Sequence, residues 1–217
     1  MITEISLPLE ATPPSRGLGF TMIEVLVALV IMIVGLLGLA GLQARVQQAE
    51  LESYQREQAL ILLNDMVDRI NANRKAATCY AITTGSGTSY YGTGSSALPA
   101  CTGVANASAQ AMATTDITEW DNVLKGAAES SGATKIGAIR DARGCVASGV
   151  NADTSITFTV AVAWQGMMPT TTPPAPGGTT ASTNAINCGT GLYGTDAASG
   201  LALRRVVWTT TRIANLQ

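Results

Sequence analysis

Residues 20–42 read FTMIEVLVALVIMIVGLLGLAGL, and this stretch decides the fold class. It contains one charged side chain, that of Glu24. As an α-helix it spans roughly 34 Å, which is enough to cross the hydrocarbon core of a bilayer. A core helix of a soluble protein would carry polar residues along one face, and this stretch has no such face. The sequence therefore predicts a membrane helix.

A cleaved secretory signal peptide is the competing interpretation of 20–42. Such a peptide has a shorter apolar stretch, followed by a cleavage site of small residues. Here the sequence continues from Gln43 with helical periodicity. Apolar side chains recur at three- and four-residue spacing: Leu42, Val46, Ala49, Leu60, Leu63, Val67 and Ile70. One helix is therefore predicted over 20–75, with its first part (20–42) in the membrane.

Charge is distributed unevenly after this point. Residues 45–75 hold many of the charged side chains, and 76–115 hold none. Residues 76–115 and the proline- and threonine-rich 167–185 are predicted as long loops. A short helix is predicted over 117–128. Strands are predicted in three regions: 135–146, 156–164 and 201–213.

The strand pattern defines the rest of the fold. Within 156–164 apolar residues alternate with threonine, as in a strand with one buried face. The predicted fold class is α+β: a long N-terminal α-helix packed on a C-terminal antiparallel β-sheet head, residues 76–217.

Enzyme chemistry has little support in this composition. The chain of 217 residues contains no histidine and has a formal net charge of −2. The missing histidine removes Ser-His-Asp and Cys-His nucleophile systems and histidine-liganded zinc. We therefore predict no catalytic residue, no metal site and no cofactor.

The four cysteines are Cys79, Cys101, Cys145 and Cys188. No pair has the CxxC spacing of a metal site, and an even number outside the cytoplasm indicates disulfide bonds. Three pairings are possible, and the sequence alone does not choose among them. We favour Cys79–Cys101 and Cys145–Cys188, because each would close a glycine-rich or proline-rich loop onto a neighbouring element.

The junction at Gly19 and Phe20, followed by Thr21, Glu24 and the uninterrupted apolar run, resembles the class III signal of type IV prepilins. In that family a prepilin peptidase cuts after the glycine and methylates the new N-terminal residue. The resemblance implies a leader over 1–19, with Arg16 as its one basic residue. It also implies cleavage between Gly19 and Phe20 and N-methylation of Phe20.

The resemblance also implies a role for Glu24 in assembly. Glu24 corresponds to the family's glutamate, four residues after the new N-terminus. A carboxylate in an apolar span is costly unless it is paired. The N-terminal amine of a neighbouring subunit can neutralise it and so set the axial register between subunits.

The stretch MIEVLVALVIMIVGLLGLAGLQ and the later ITFTVAVAWQG (156–166) resemble the minor pilins of the V type, also called type IV pilus modification proteins. This resemblance implies a structural subunit that helps pilus assembly and supports twitching motility or adhesion. Implied partners are other minor and major pilins, the prepilin peptidase and the inner-membrane assembly platform. The implied location is the inner membrane, crossed once with the head in the periplasm, and then the pilus.

Two other functions remain open from the sequence. A minor pseudopilin of a type II secretion system would have nearly the same N-terminus. A DNA-binding pilin would need a basic surface, and the head has a single basic grouping: Lys135, Arg140, Arg143, Arg204 and Arg205. We interpret this grouping as a solvated strand face and expect no nucleic acid partner.

Overall fold

The computed structural model of the protein describes residues 19–83, 89–95, 98–127, 130–131, 134–135, 139–170, 185–194 and 203–214. The predicted leader, apart from Gly19, lies outside these residues. The same is true of most of the predicted loop 167–185. The chain divides into two compact units, Met1–Gln47 (the first unit) and Gln48–Gln217 (the second unit). The boundary falls inside the first helix.

Helix α1 runs from Met22 to Ala72 without interruption. It therefore begins two residues later than predicted, because Thr21 caps its first turn. A 3₁₀ helix, Arg74–Tyr80, follows directly. The buried residues of α1 are all in its second half, at helical spacing: Ala59, Leu63, Met66 and Ile70.

The remaining elements belong to the second unit. A second helix, α2, spans Ala107–Leu124. The strands are β1 (Tyr91–Gly92), β2 (Ser130–Ser131), β3 (Thr134–Lys135), β4 (Arg143–Val150), β5 (Ile156–Gln165) and β6 (Arg204–Ile213). Four strands form an antiparallel sheet in the order β1-β4-β5-β6, and β2 pairs with β3. The predicted α+β class, a long helix packed on an antiparallel sheet, is confirmed.

The bounds of other predicted elements also differ from the structure. The predicted strand region 135–146 is wrong at 139–142. Lys135 belongs to β3, but Asp141 adopts a positive φ of 56° in a turn, and β4 begins only at Arg143. The short helix begins ten residues before 117, at Ala107. There the side chain of Asn106 accepts a hydrogen bond from the backbone N–H of Ala109 (2.9 Å), an N-cap that starts the helix early.

The inner face of the sheet packs on the second half of α1. Apolar residues of β4 and β5, such as Val146, Phe158 and Val162, share one buried cluster with Leu63 and Met66. Ile213, the last residue of β6, belongs to the same cluster. The predicted alternation of β5 is therefore what places its apolar side chains under the helix.

Trp120 of α2 joins the sheet to α1. Its indole N–H donates to the backbone oxygen of Leu62 (2.9 Å), and its ring meets that of Tyr91 edge to face at 5.3 Å. A Cβ at Gly144 would lie 2.1 Å from the Trp120 ring, so only glycine lets the ring approach β4 this closely. Trp120 thereby connects α1, β1 and β4.

The outer face of the sheet is also covered, over part of its area. Small residues of β4 and β5, including Ala147, Ala161 and Ala163, form a second buried cluster with Ala185, Cys188 and Tyr193. The sequence pattern of β5 predicted only one buried face. The segment 185–193 covers the other face, and the Cys145–Cys188 disulfide bond holds it there.

Candidate functional site

The first turn of α1 carries the predicted assembly residues. The backbone oxygen of Thr21 accepts from the N–H groups of Glu24 (3.1 Å) and Val25 (3.4 Å), and its hydroxyl accepts from Glu24 as well (3.3 Å). Thr21 is thus the N-cap, and Glu24 stands at the third helical position, the spacing of a capping box. The sequence analysis did not assign this role to Thr21, although Thr-x-x-Glu is its recognisable signal.

Gly19 and Phe20 lie just outside this helix and are exposed, Phe20 by 84%. The structure therefore places the predicted cleavage junction in non-helical backbone next to a capped helix start. The carboxylate of Glu24 is exposed in the first turn, where the positive end of the helix dipole favours a negative charge. Gly19, Phe20 and Glu24 are accessible to a protein that approaches this end of the helix.

An apolar surface surrounds the helix after Glu24. Every residue from 22 to 51 is exposed, and 25–44 carry no charge. Large side chains such as Ile31 and Leu37 remain 67% and 68% exposed. Among the described residues, α1 is the one helix long and apolar enough to cross a membrane. Such a surface needs a partner that the described part of the chain does not provide, either lipid or other helices.

The second half of α1 is tied to α2 by charge. Arg69 forms ion pairs with Asp65 (3.0 Å), Asp116 (3.1 Å) and Glu119 (2.9 Å). The hydroxyl of Tyr80 donates to Asp116 at 2.5 Å. Burial, together with this bond to a carboxylate, raises the pKa of Tyr80 well above its usual value. These contacts hold the second half of α1 and the 3₁₀ helix against α2.

Both disulfide bonds lie in the second unit. Cys79 bonds to Cys101, and Cys145 bonds to Cys188. This is the pairing that the sequence analysis favours. The first bridge ties the 3₁₀ helix to the segment before α2. The second ties β4 to the segment that covers the outer face.

The basic grouping does not form a solvated surface. Arg143 is buried between the rings of Tyr90 and Tyr193 and pairs with Asp141 (3.0 Å), and Arg204 is 3% exposed. Burial lowers the pKa of Arg204, whose guanidinium donates to the backbone oxygens of Ile186 (2.8 Å) and Cys188 (3.2 Å). The interpretation as a solvated strand face is therefore wrong for these two arginines.

The other members of the grouping add little basic surface. Arg205 pairs with Glu52 (3.0 Å), and Arg140 is exposed. The side chain of Lys135 lies outside the described part of the structure. Burial of Arg143 and Arg204 removes two of the charges that a patch for binding DNA phosphates would need.

The described residues contain no group of three or more His, Cys, Asp or Glu side chains that could hold a metal ion. A cavity of about 600 Å³ lies beside the Cys79–Cys101 bond, and its lining residues, which include Tyr90, Leu98 and Thr102, are all uncharged. The arrangement offers no acid–base pair at this cavity.

Comparison with known proteins points to one family. Residues 41–118 match the family model described as Tt1218-like, type IV pilin Tt1218. The matched range begins within α1 and ends within α2, so the similarity to a type IV pilin covers this part of the chain. No curated protein and no solved structure matches this chain. Together with the apolar helix, the family match fits membrane anchoring and a place in a pilus.

Proposed function

We propose that this protein is a minor pilin of the V type, a structural subunit that helps to initiate or modify type IV pilus assembly. The observation that supports this most strongly is the start of α1. An exposed junction at Gly19 and Phe20 precedes a capped helix whose first part, up to residue 42, is apolar on all sides and carries Glu24 as its one charge. The family match over 41–118 supports the same class of protein. Twitching motility and adhesion are the processes that such a pilus serves.

Processing is the first proposed step. The prepilin peptidase removes residues 1–19 by cutting after Gly19, and Phe20 becomes the N-methylated first residue of the mature chain. A glycine suits this position, because the peptidase must approach the backbone closely. The N-cap supplied by Thr21 lies beyond the cut, so the helix keeps its first hydrogen bonds after cleavage.

The membrane stage follows from the apolar surface. Residues 20–42 cross the inner membrane once, with the second unit in the periplasm, where the disulfide bonds can form. On assembly the same surface leaves lipid and packs against the helices of other minor and major pilins at the assembly platform. Both environments are apolar, so the transfer does not expose the helix to water.

Glu24 sets the axial position that a subunit takes beside its neighbour during this transfer. Its carboxylate lies one helical turn beyond Phe20, whose new amine is positively charged. In the fibre the amine of one subunit neutralises the glutamate of its neighbour. Pairing the two charges lowers the cost of keeping each of them among apolar groups. A shift along the axis would separate the pair, so the pair selects one axial position.

The experiment that tests this function compares wild type and Glu24→Val at equal expression. The amount of this chain in sheared pili is divided by its amount in the inner membrane, and mass spectrometry reads the mature N-terminus. We expect wild-type chain in the pili, beginning at N-methylated Phe20. For Glu24→Val we expect cleavage to persist and the ratio to fall, because the neighbour's amine has lost its partner.

Two controls accompany this experiment. Glu50→Val removes an exposed glutamate of the same helix outside the apolar span and should leave the ratio unchanged. Gly19→Val should leave uncleaved chain in the inner membrane. An unchanged ratio for Glu24→Val would remove the charge-pairing mechanism. A wild-type chain that is absent from pili and purifies with a secretion-system secretin would contradict the pilus function and favour a minor pseudopilin.

A further inference from the structure

The two edges of the four-stranded sheet differ in how they are covered. On the side of β4 that faces away from β5, β1 pairs with Arg143 and Gly144. Thr83 continues that cover: its N–H donates to the oxygen of Val146 (2.9 Å), and its hydroxyl accepts from the N–H of Val146 (3.0 Å). At the opposite edge lies β6, and no strand among the described residues pairs with its outer side.

The hydrogen-bond pattern shows which backbone groups β6 presents there. The N–H of Gly166 donates to the oxygen of Leu203 (2.8 Å), so odd-numbered residues of β6 bond to β5. Even-numbered residues therefore turn their N–H and C=O groups toward the free edge: Val206, Trp208, Thr210 and Arg212. In the described part of the chain these backbone groups have no hydrogen-bond partner.

The side chains along this edge do not block it. Trp208 is 45% exposed, and Thr210 and Arg212 are exposed too. β6 contains no proline or lysine, and its ten residues pair with β5 in continuous register without a bulge. Natural sheets usually blunt an open edge with one of these devices. An open edge of this length is suited to receive another strand.

Charge decides which strand fits. β6 reads RRVVWTTTRI, with three arginines and no acidic residue. Arg204 is buried and bonded to backbone oxygens, so Arg212 carries the exposed positive charge of this edge. If a second copy paired parallel and in register, the exposed Arg212 side chains of the two copies would lie side by side. Like charges in facing positions destabilise a sheet, so the pattern disfavours a second copy.

A strand that carries a carboxylate fits better. The ion pair of Arg212 with Asp153 is 58% and 57% exposed at its two side chains. Exposed pairs of this kind contribute little stability, so a carboxylate on an incoming strand can replace Asp153 at Arg212. The exposed ring of Trp208 would cover an apolar side chain of that strand. We infer that β6 is a docking edge for an extended segment of a different pilin subunit, apolar opposite Trp208 and acidic opposite Arg212.

This inference rests on the proposed function, since the neighbour is another subunit of the same fibre. The first test places a photo-reactive amino acid at position 208 of the full-length chain in piliated cells. A matched control places it at position 112, because Met112 is 54% exposed on α2. We expect position 208 to give an adduct at least ten times stronger than position 112. Mass spectrometry should identify the partner as an extended, acidic segment of another pilin.

A cross-link at 208 to a second copy, or adducts of equal strength at 208 and 112, would overturn the inference. The second test uses Trp208→Lys and Thr210→Pro, with Met112→Lys as control. Thr210→Pro removes an outward N–H and leaves the bonds to β5 intact. Disulfide content on a non-reducing gel checks that each variant has folded.

For both edge variants we expect the ratio of pilus-bound to membrane-bound chain to fall at least five-fold, and for Met112→Lys no change. Equal ratios for all folded variants, with wild type present in pili, would sink the docking edge and leave the proposed function standing. Absence of the wild-type chain from pili would overturn both.

Discussion

From residue 22 to residue 51 every side chain of α1 is exposed, whereas the stretch from Glu52 to Ile70 buries a regular stripe. The backbone conformation is the same in both halves. In the second half apolar residues lie at helical spacing and meet the sheet of the same chain. In the first half apolar residues surround the helix. The difference shows how the pattern of apolar residues indicates what covers a helix. Apolar residues along one face indicate packing within the same chain, and apolar residues on all sides indicate a partner outside it.

The largest effect that separates the halves should come from the Cys145–Cys188 bond. Its residues are 43 positions apart, so removing it frees a long loop in the unfolded chain. We expect Cys145→Ser with Cys188→Ser to lower the free energy of unfolding of the second unit by about 4 kcal/mol. Thermal unfolding of the full chain in detergent measures this. Membrane association of the first half of α1 should stay as in wild type. If the variant lost both stability and membrane association, the two halves of α1 would not act separately.

A pair of alanine substitutions compares the halves directly. Met66 is fully buried against the sheet, and Leu37 is 68% exposed. Met66→Ala should lower the free energy of unfolding of the second unit by about 3 kcal/mol, because it leaves a cavity. Leu37→Ala should leave the same thermal transition unchanged. If both variants shift the transition equally, the two halves are not independent as proposed.

A lysine inside the apolar span should weaken membrane insertion and leave the stability of the second unit unchanged. Val30→Lys places a charge near the middle of 20–42, at a cost of about 3 kcal/mol for membrane insertion. We expect less of this variant to resist alkaline extraction from membranes, with the thermal transition of the second unit unchanged. Val46→Lys, on the same helix but outside the span, is the matched control. Equal extraction of both variants would mean that 20–42 is not the membrane segment.

The smallest effect concerns the arginines of α1. Arg69 is 21% exposed and bonds three carboxylates, whereas Arg45 is exposed and has no ion pair among the described residues. Arg69→Met should lower the stability of the second unit by about 1 kcal/mol, and less at high salt. Arg45→Met should have no effect. Chemical denaturation at two salt concentrations distinguishes the outcomes, and an effect of Arg69→Met that does not depend on salt would rule out its charge as the cause.

The sequence predicted the elements whose pattern repeats. The all-round apolar stretch and the stripe of α1 each follow from one period, and both are present in the structure. The alternation of β5 predicted its inner face correctly, but β5 is buried continuously from Phe158 to Trp164, because its other face is covered too. The first half of α2 escaped prediction because ASAQAMATTD has few large apolar residues to show a period. The capping residue Asn106 was the available signal there.

The cover of the outer face could not be predicted. Ala161 and Ala163 are small, so β5 shows no second apolar stripe, and the segment that covers them is distant in sequence. The buried positions of Arg143 and Arg204 depend on the same segment, because Tyr193, Ile186 and Cys188 surround them. Contacts of this kind arise from tertiary packing and leave no local period.

The attachment of α1 to the second unit also has a mechanical consequence. The contacts are spaced along the helix at the side chains of Glu52, Arg69 and Asn71 and at the backbone oxygen of Leu62, and they reach β6 and α2. They extend over about 28 Å of helix. When the helix is pulled along its axis, these bonds carry the load in parallel, and no single bond has to break first. Tension applied to such a helix is therefore distributed over several contacts with two elements of the domain, β6 and α2.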